Sequence, residues 1–154
     1  PQIEGGGQEW GYRSGTEGVA QAVGLATALE LAQDARHEQT RTMQELQKYF
    51  IAKLEQAIPS LVVNGTRKHR LPNNVHITVP GQDNERLIFA LDDRGIMAAA
   101  GSACSASSDE PSHVLRAMGI SDEDAQASLR FTLGRDTTKE EIEYTVQSLA
   151  EVLQ

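Results

Sequence analysis

The first third of the chain carries apolar residues at helical spacing, after a glycine-rich opening over residues 1–16. Two stripes recur at intervals of three or four residues, as on one face of an α-helix: Val19, Val23, Ala26 and Leu29, then Met43, Leu46, Phe50 and Leu54. Ser14 and Glu17 have the spacing of a capping box, which places the helix start near Gly15, and Pro59 cannot continue a helix. The pattern predicts one long helix that ends near residue 58, or two helices with a bend between residues 33 and 37.

After Pro59 a period of two predicts short strands that alternate with helices. Val75, Ile77 and Val79 alternate with His76 and Thr78. One face of this strand is therefore buried, and His76 is expected on the outer face. Strands are likewise expected at residues 61–63, 96–100 and 128–133, and helices at residues 83–92, 111–118 and from Thr137 or Thr138 onward. This order of elements predicts an α+β fold, in which helices cover a small sheet.

Composition and charge exclude several classes of function. The chain has 154 residues, and its 14 Lys+Arg against 22 Asp+Glu give a net charge of −8. Such a charge argues against binding to the phosphate backbone of nucleic acids. No stretch approaches the roughly 20 apolar residues that a membrane-spanning helix needs. A single cysteine excludes an internal disulfide and a multi-cysteine zinc site, and the four histidines show no metal-ligand spacing, so no metal site is predicted.

The cysteine is the most informative single residue. Every residue from Gly101 to Ser108 other than Cys104 is glycine, serine or alanine, which predicts a loop with few steric limits on its backbone. A thiol in such a loop is unusual, because free cysteines are mostly buried and behave as small apolar groups. Any lowering of its pKa has to come from the fold, for example from His113 or Arg116. Cys104 is thus a candidate nucleophile, with an inert thiol as the alternative.

Three basic segments are further candidates. Arg130 alternates with the apolar residues of its strand, so it points to solvent or into a cleft, where its planar fork suits a carboxylate; a surface ion pair is the alternative. The run Arg13–Thr16 is interpreted as an ordinary helix cap, or less favourably as an anion or phosphate site at a helix start. The run Arg67–Arg70 is interpreted as a solvated loop, or less favourably as a docking patch for an acidic partner.

Five segments in register resemble the cysteine desulfurases of the NifS/IscS type. They are Gly5–Glu9 with Arg13–Thr16 (GGGQE and RSGT), Leu71–Val75 (LPNNV), Gly101–Cys104 (GSAC), Pro111–Leu115 (PSHVL), and Ser128–Phe131 with Leu133–Arg135 and Thr137–Thr138. The similarity runs in order along essentially the whole chain. No one of these motifs is decisive, but the five together are highly specific.

The resemblance implies a fold and a chemistry. These enzymes are homodimers that use pyridoxal phosphate, belong to the class V aminotransferases and have the aminotransferase type I fold, whose small domain has a short, mostly antiparallel sheet. They remove sulfur from L-cysteine, release L-alanine and hold the sulfur as a persulfide on a loop cysteine, which corresponds to Cys104. The arginine that binds the substrate carboxylate corresponds to Arg130, and the threonine that reaches the cofactor phosphate of the partner subunit corresponds to Thr16.

One departure from the family is the missing Schiff-base lysine. The lysines of the chain are Lys48, Lys53, Lys68 and Lys139, and none has the family's serine-x-histidine context. The resemblance therefore implies the C-terminal portion of the enzyme, with no pyridoxal phosphate bound and no turnover by this chain alone. The alternatives are a stand-alone sulfur-carrier or docking module, and an enzyme similar to selenocysteine lyases.

The resemblance also implies an organisation and a set of partners. Residues 1–16 would be an arm that belongs with the large domain, residues 17–58 a connecting helix, and residues 59–154 the small domain with the cysteine loop at 101–110. The implied partners are L-cysteine, an iron–sulfur scaffold protein, other sulfur acceptors and a second subunit. Nucleic acid and membrane are not expected as direct partners, and the implied location is the cytoplasm.

Overall fold

The structure of the protein, a computed structural model, describes residues 1–101 and 111–154. Its helices are a 3-10 turn at Glu9–Gly11, α1 at Val19–Ala57, α2 at Asn84–Asp92, α3 at His113–Ala117, α4 at Asp122–Gln126 and α5 at Lys139–Val152. Its strands are β1 at Val62–Val63, β2 at Asn74–Thr78 and β3 at Ser128–Thr132. The chain divides into two units, Pro1–His37 and Glu38–Gln154.

In the first unit, the glycine-rich opening folds back on itself. The Ser14 N–H donates to the Ile3 carbonyl at 3.0 Å, and the Ser14 hydroxyl accepts from the Gly7 N–H at 3.3 Å. A Cβ at Gly5 would lie 2.9 Å from the Ser14 Cβ, so only glycine permits this approach. The predicted Ser14–Glu17 capping box is wrong, because the Ser14 hydroxyl serves Gly7 and α1 begins at Val19.

Helix α1 runs without interruption from Val19 to Ala57, as the single-helix alternative predicts. In the second unit its last turns bury Leu46, Phe50 and Leu54 against the sheet and the other helices. The Phe50 ring packs edge-on against the Phe131 ring with centroids 5.4 Å apart, a geometry that aromatic pairs favour. The helix ends two residues before Pro59, which lacks the N–H that another helical turn needs.

The sheet is antiparallel with the strand order β1-β2-β3. Its apolar face carries Val75, Ile77, Leu129 and Phe131, which are all at most 4% exposed and form the core with α1, α2 and α5. Thr138 caps α5 in a capping box with Glu141, at one of the two predicted starts. The α+β architecture predicted from the sequence is confirmed, because a small antiparallel sheet lies beneath helices and follows a long helix.

Three element boundaries differ from the sequence predictions. The strand expected at residues 96–100 is reduced to one bridge, in which Ala99 pairs with Arg130; the small residues 98–101 offer little side chain to pack. Helix α3 begins at His113 rather than Pro111, with Ser112 as its N-cap. Helix α4 was not expected, because five residues are too few for a periodic signal; the Ser121 hydroxyl caps it by accepting from the Asp124 N–H.

Within residues 1–101 and 111–154, no helix has both the length and the apolar content that crossing a lipid bilayer requires.

Candidate functional site

The three residues predicted to act in the site have different positions in the structure. Cys104 and the rest of residues 102–110 lie outside the described residues. Thr16 belongs to the first unit and is exposed just before α1. Arg130 lies on β3 in the second unit and is half-buried at the wall of a cavity. Of these three residues, Arg130 is the one that lines a described cavity.

The cavity has a volume of about 320 Å3 and opens on the polar face of the sheet. Its lining has two guanidinium groups and three imidazoles but no carboxylate among the described residues: Asn64, Gly65, Thr66, His69, Arg70, Asn74, His76, Gly101, Ser112, His113, Val114, Leu115, Met118 and Arg130. A cavity that contains cationic groups and no acidic side chain attracts anions. In a chain of net charge −8, this is a local reversal of the overall charge.

Three lining residues form a row across the sheet. His76 on β2 is the register partner of Arg130 on β3. On the other side of β2, the Asn64 N–H donates to the His76 carbonyl at 2.9 Å. His76 lies on the face of β2 opposite to the buried Val75 and Ile77, as the alternation predicts, and it is half-buried in this row. The loop from Asn64 to Asn74 and the segment around Ser112 supply further cavity walls, which the strand pattern alone does not predict.

Arg70 is occupied by the protein itself. Its guanidinium donates to the Asn64 carbonyl, to the Thr66 carbonyl at 3.3 Å and to Asn74 Oδ1 at 3.2 Å. Burial, and after it the charge of Arg67, lower the pKa of Arg70, although an arginine stays protonated at any ordinary pH. Arg70 thus fixes the Asn64–Asn74 loop. Because Arg70 is half-buried, the prediction that it lies in a solvated loop is wrong for this residue. Arg67 is exposed as expected and forms an ion pair with Glu55.

Arg130 differs from Arg70 because, among the described residues, only its backbone has hydrogen-bond partners. Its N–H donates to the Ala99 carbonyl at 2.7 Å, and its carbonyl accepts from the Ala99 N–H at 3.1 Å. Across the described part of the chain, no hydrogen bond or ion pair engages its guanidinium. The surface ion pair that the sequence left open as an alternative does not form with any described acid. A guanidinium anchored through its backbone, with its donors directed to a cavity, is suited to bind a carboxylate.

His76 is uncharged at neutral pH. Burial first, then the charge of Arg130, then that of Arg70, lower its pKa from 6.5 to about 4. The Asn64 amide nitrogen lies 2.9 Å from His76 Nδ1. The imidazole therefore enters the site as a neutral group whose one N–H can donate a hydrogen bond.

Beside His76, three buried polar residues are linked to one another. Asn64, Thr78 and Ser128 are 7%, 3% and 1% exposed. Thr78 Oγ1 lies 2.8 Å from Asn64 Nδ2 and 2.7 Å from Ser128 Oγ, and Ser128 Oγ donates to the Asp124 carbonyl at 2.7 Å. Since their polar atoms are satisfied, the network stabilises the polar face of the sheet at little desolvation cost.

The described cavity does not by itself form a pyridoxal phosphate site. No lysine lines it, so no amine is available to form an imine. The Nζ atoms of Lys53 and Lys139 instead lie 5.3 and 5.4 Å from the centre of the Tyr49 ring. What the cavity residues offer is recognition of an anion by Arg130, with neutral hydrogen-bond donors beside it.

Comparison with known proteins identifies the family. Residues 2–145 match the family described as Aminotransferase class-V. The chain belongs to this family. This match confirms the resemblance found from the sequence motifs. The class V aminotransferases depend on pyridoxal phosphate.

Relatives of about 40% identity are named cysteine desulfurases. The chain is 42% identical over all of its 154 residues to the cysteine desulfurase IscS of Dictyoglomus turgidum, and 40% identical over 153 residues to that of Clostridium botulinum strain Hall. The NifS-like protein of Rickettsia africae has the same fold, with a TM-score of 0.81 and 32% identity over 99% of the chain. The chain spans about 39% of the first of these relatives and 38% of the second, and 39% of the Rickettsia chain.

The sequence analysis singles out Arg130, which lines the cavity, but not Asn64, His76 or Arg70, which line it too. The sequence contains a usable signal for His76, because polar residues occupy alternate positions in both β2 and β3. When two such strands pair, their polar residues share a face and reduce one another's contact with solvent. The roles of Asn64 and Arg70 depend on how the loop between β1 and β2 folds, for which the sequence offers only the Asn64–Gly65 turn pair.

Proposed function

We propose that the protein containing this chain is a cysteine desulfurase that depends on pyridoxal phosphate. In this reaction the sulfur of L-cysteine is transferred to the thiolate of Cys104 as a persulfide, and the carbon skeleton takes up a proton and leaves as L-alanine. The proposal is supported by the family, by the names of relatives at about 40% identity, and by the motif that contains Cys104.

The structural observation that carries the proposal is the guanidinium of Arg130. Arg130 lines a cavity to which no described residue contributes a carboxylate, and its guanidinium has no protein partner among the described residues. A substrate amino acid has one group that such a fork binds in bidentate fashion, its α-carboxylate. Arg130 would hold that carboxylate and so orient the rest of L-cysteine, which is a binding role rather than a chemical one.

Cys104 and Thr16 complete the proposed set of site residues. Cys104 would be the nucleophile, and it follows the cavity-lining Gly101 by three positions in the chain. Thr16 would contact the cofactor phosphate in the partner subunit. The Schiff-base lysine would come from a part of the enzyme outside this chain, so we expect neither bound pyridoxal phosphate nor turnover from the 154 residues alone.

The apolar surface of α1 supports a larger assembly. In the first unit Val19, Val23, Leu25, Leu29 and Leu31 are all at least 59% exposed. At 100° per residue these positions point to several sides of the helix, and a helix that is apolar all round is buried in its native setting. We propose that residues 1–16 and the start of α1 pack on the large domain and on a second subunit, and that residues 59–154 form the small domain.

The proposed persulfide product indicates which partners the enzyme would have. A persulfide on Cys104 would be passed to sulfur acceptors, of which an iron–sulfur scaffold protein is the one that relatives named IscS suggest. The proposed location is the cytoplasm, where such assembly takes place.

Peptide mass spectrometry of Cys104 tests the function. The enzyme containing this chain and its lysine-bearing domain is loaded with pyridoxal phosphate and given L-cysteine. We expect one additional sulfur atom on Cys104 and the release of alanine. Cys104→Ser is the matched variant and should retain the cofactor but show neither change. An unmodified Cys104 in a correctly loaded enzyme contradicts the proposal and favours the docking-module alternative.

A further inference from the structure

The direction of each hydrogen bond beside the cavity follows from one carbonyl group. The Asp124 carbonyl can only accept, so the Ser128 hydroxyl donates to it at 2.7 Å. The single hydrogen of Ser128 is then used, and in the 2.7 Å contact between Thr78 and Ser128 the donor must be Thr78. The single hydrogen of the Thr78 hydroxyl is then also used, so Thr78 Oγ1 can only accept in its contact with Asn64 Nδ2.

This direction is passed on to Asn64 and His76. Asn64 Nδ2 donates one hydrogen to Thr78 Oγ1 at 2.8 Å, and its second hydrogen reaches His76 Nδ1 at 2.9 Å. Two competing contacts are longer, the one from Thr78 to Asn64 Oδ1 at 3.1 Å and the one from Asn64 Nδ2 to Ser128 Oγ at 3.4 Å. Because Nδ1 accepts, the proton of the neutral imidazole has to be on Nε2.

The Nε2–H group is available to a ligand. Among the described residues every fully buried side-chain nitrogen or oxygen has a hydrogen-bond partner. No described residue pairs with His76 Nε2, so this atom must be accessible, and His76 lines the cavity. Its register partner across the ladder is Arg130, whose guanidinium is also without a described partner. Two adjacent donors on one face can bind the same anion.

We propose that His76 is a second binding residue for the substrate carboxylate, which it contacts through Nε2–H beside the fork of Arg130. Asn64 is the positioning residue, because it holds the imidazole in the Nε2–H tautomer, and Thr78 and Ser128 fix the orientation of the Asn64 amide. The inference rests on the proposed function, because it specifies how that function's substrate carboxylate is bound.

A neutral donor suits this position on electrostatic grounds. A second full positive charge here would be disfavoured by burial first, and then by repulsion from Arg130 and Arg70, which together lower the pKa of His76. A neutral imidazole adds a hydrogen bond without that repulsion. It also keeps the same protonation state throughout the neutral pH range, so recognition of the carboxylate stays constant there.

The tautomer is measured on the 154-residue chain by nitrogen-15 NMR of the histidine side chains. We expect His76 to show the Nε2–H form at pH 7 and Asn64→Asp to raise its pKa, because the introduced carboxylate favours an imidazolium. His37, which belongs to the first unit, serves as an internal control and should not change. A predominant Nδ1–H form of His76 in the unaltered chain overturns the inference.

The carboxylate contact is tested by titrating the same chain with L-alanine, the proposed product, and with L-alaninamide, which lacks a carboxylate. We expect L-alanine to shift the resonances of His76 and L-alaninamide to leave them unchanged. An equal response to both compounds, or none to either, contradicts the proposal. This experiment uses the unaltered chain, so it requires neither the cofactor nor a variant that still folds.

In the enzyme loaded with pyridoxal phosphate, His76→Phe should raise the KM for L-cysteine by about tenfold, the usual effect of losing one hydrogen bond to a charged group, with kcat within about threefold. His76→Gln, which retains an N–H donor, should restore most of the affinity. An active enzyme whose KM is unaffected by His76→Phe overturns this inference alone. Lack of desulfurase activity in the unaltered enzyme instead overturns the proposed function.

Discussion

His76 and Arg130 are directly paired across β2 and β3, and their side chains line the same cavity. Burial and, next in importance, the charge of Arg130 hold the pKa of His76 at about 4. The imidazole of His76 is therefore neutral at pH 7 although it lies beside a guanidinium. This pairing gives the cavity a cation and a neutral donor side by side, and the charge of Arg130 is one of the causes that keep His76 neutral.

The first prediction is that Arg130→Gln raises the pKa of His76 above 4. Removing the guanidinium removes the repulsion that the protonated imidazole experiences from it, whereas burial and Arg70 continue to act. The pKa should therefore rise but stay below 6.5. NMR titration of the His76 ring protons measures it, with Arg135→Gln, an exposed substitution, as the control. An unchanged pKa means that Arg130 does not act on His76.

A second prediction concerns stability in acid. His76 has a pKa of about 4 in the folded chain and about 6.5 when unfolded. Between these values the unfolded state binds the proton more tightly, so acidification from pH 6.5 to 4 lowers the free energy of unfolding. The contribution is about 2 kcal/mol, at about 1.4 kcal/mol per pKa unit and with a discount for solvent contact.

Urea unfolding of the wild type and of His76→Gln between pH 4 and 7 measures this contribution of His76 to the free energy of unfolding. The glutamine variant cannot take up the proton, so its stability should fall less on acidification than that of the wild type. All other acid-sensitive groups, such as Asp122 with its lowered pKa beside Arg116, are common to both proteins. Parallel curves for the two proteins contradict the prediction.

The third prediction is that Ser128→Ala destabilises the chain by about 1–3 kcal/mol. At a position that is 1% exposed, the substitution removes the donor of the 2.7 Å bond to the Asp124 carbonyl and the acceptor of the 2.7 Å bond from the Thr78 hydroxyl. Thr132→Ala on the same face of β3 is the matched control, and because Thr132 is exposed its effect should stay within about 0.5 kcal/mol. Similar losses in urea unfolding for the two variants would show that the network adds no stability of its own.

The fourth prediction is self-association of the isolated chain through the apolar start of α1. Val23 and Leu29 are 59% and 62% exposed, and apolar surface of this kind drives association in water. We expect at least a dimer by light scattering, and a shift toward monomer in Val23→Glu/Leu29→Glu. Glu45→Lys, a change at an exposed position of α1 in the other unit, is the control. A monomer whose mass is independent of concentration contradicts the prediction.

Several parts of the fold could be predicted from local pattern alone. The alternation around Ile77 identifies β2, and Val75, Ile77 and Leu129 are buried as the period of two indicates. The spacing of Thr138 and Glu141 identifies the start of α5. These predictions depend only on residues close in sequence, which is why they hold. The Ser14–Glu17 spacing failed because Gly7, which is distant along the loop, competes for the same hydroxyl.

The sequence by itself determined the fold class, the family and the candidate role of Arg130, since these follow from periodicity, from five motifs in register and from the chemistry of a guanidinium. The tertiary structure decided which polar residues act together. Pairing of β2 with β3 places His76 beside Arg130, and the fold of the β1–β2 loop brings Asn64 to the same row and engages Arg70. Burial and long-range hydrogen bonds set the protonation and direction of these groups, and neither can be calculated from neighbours along the chain.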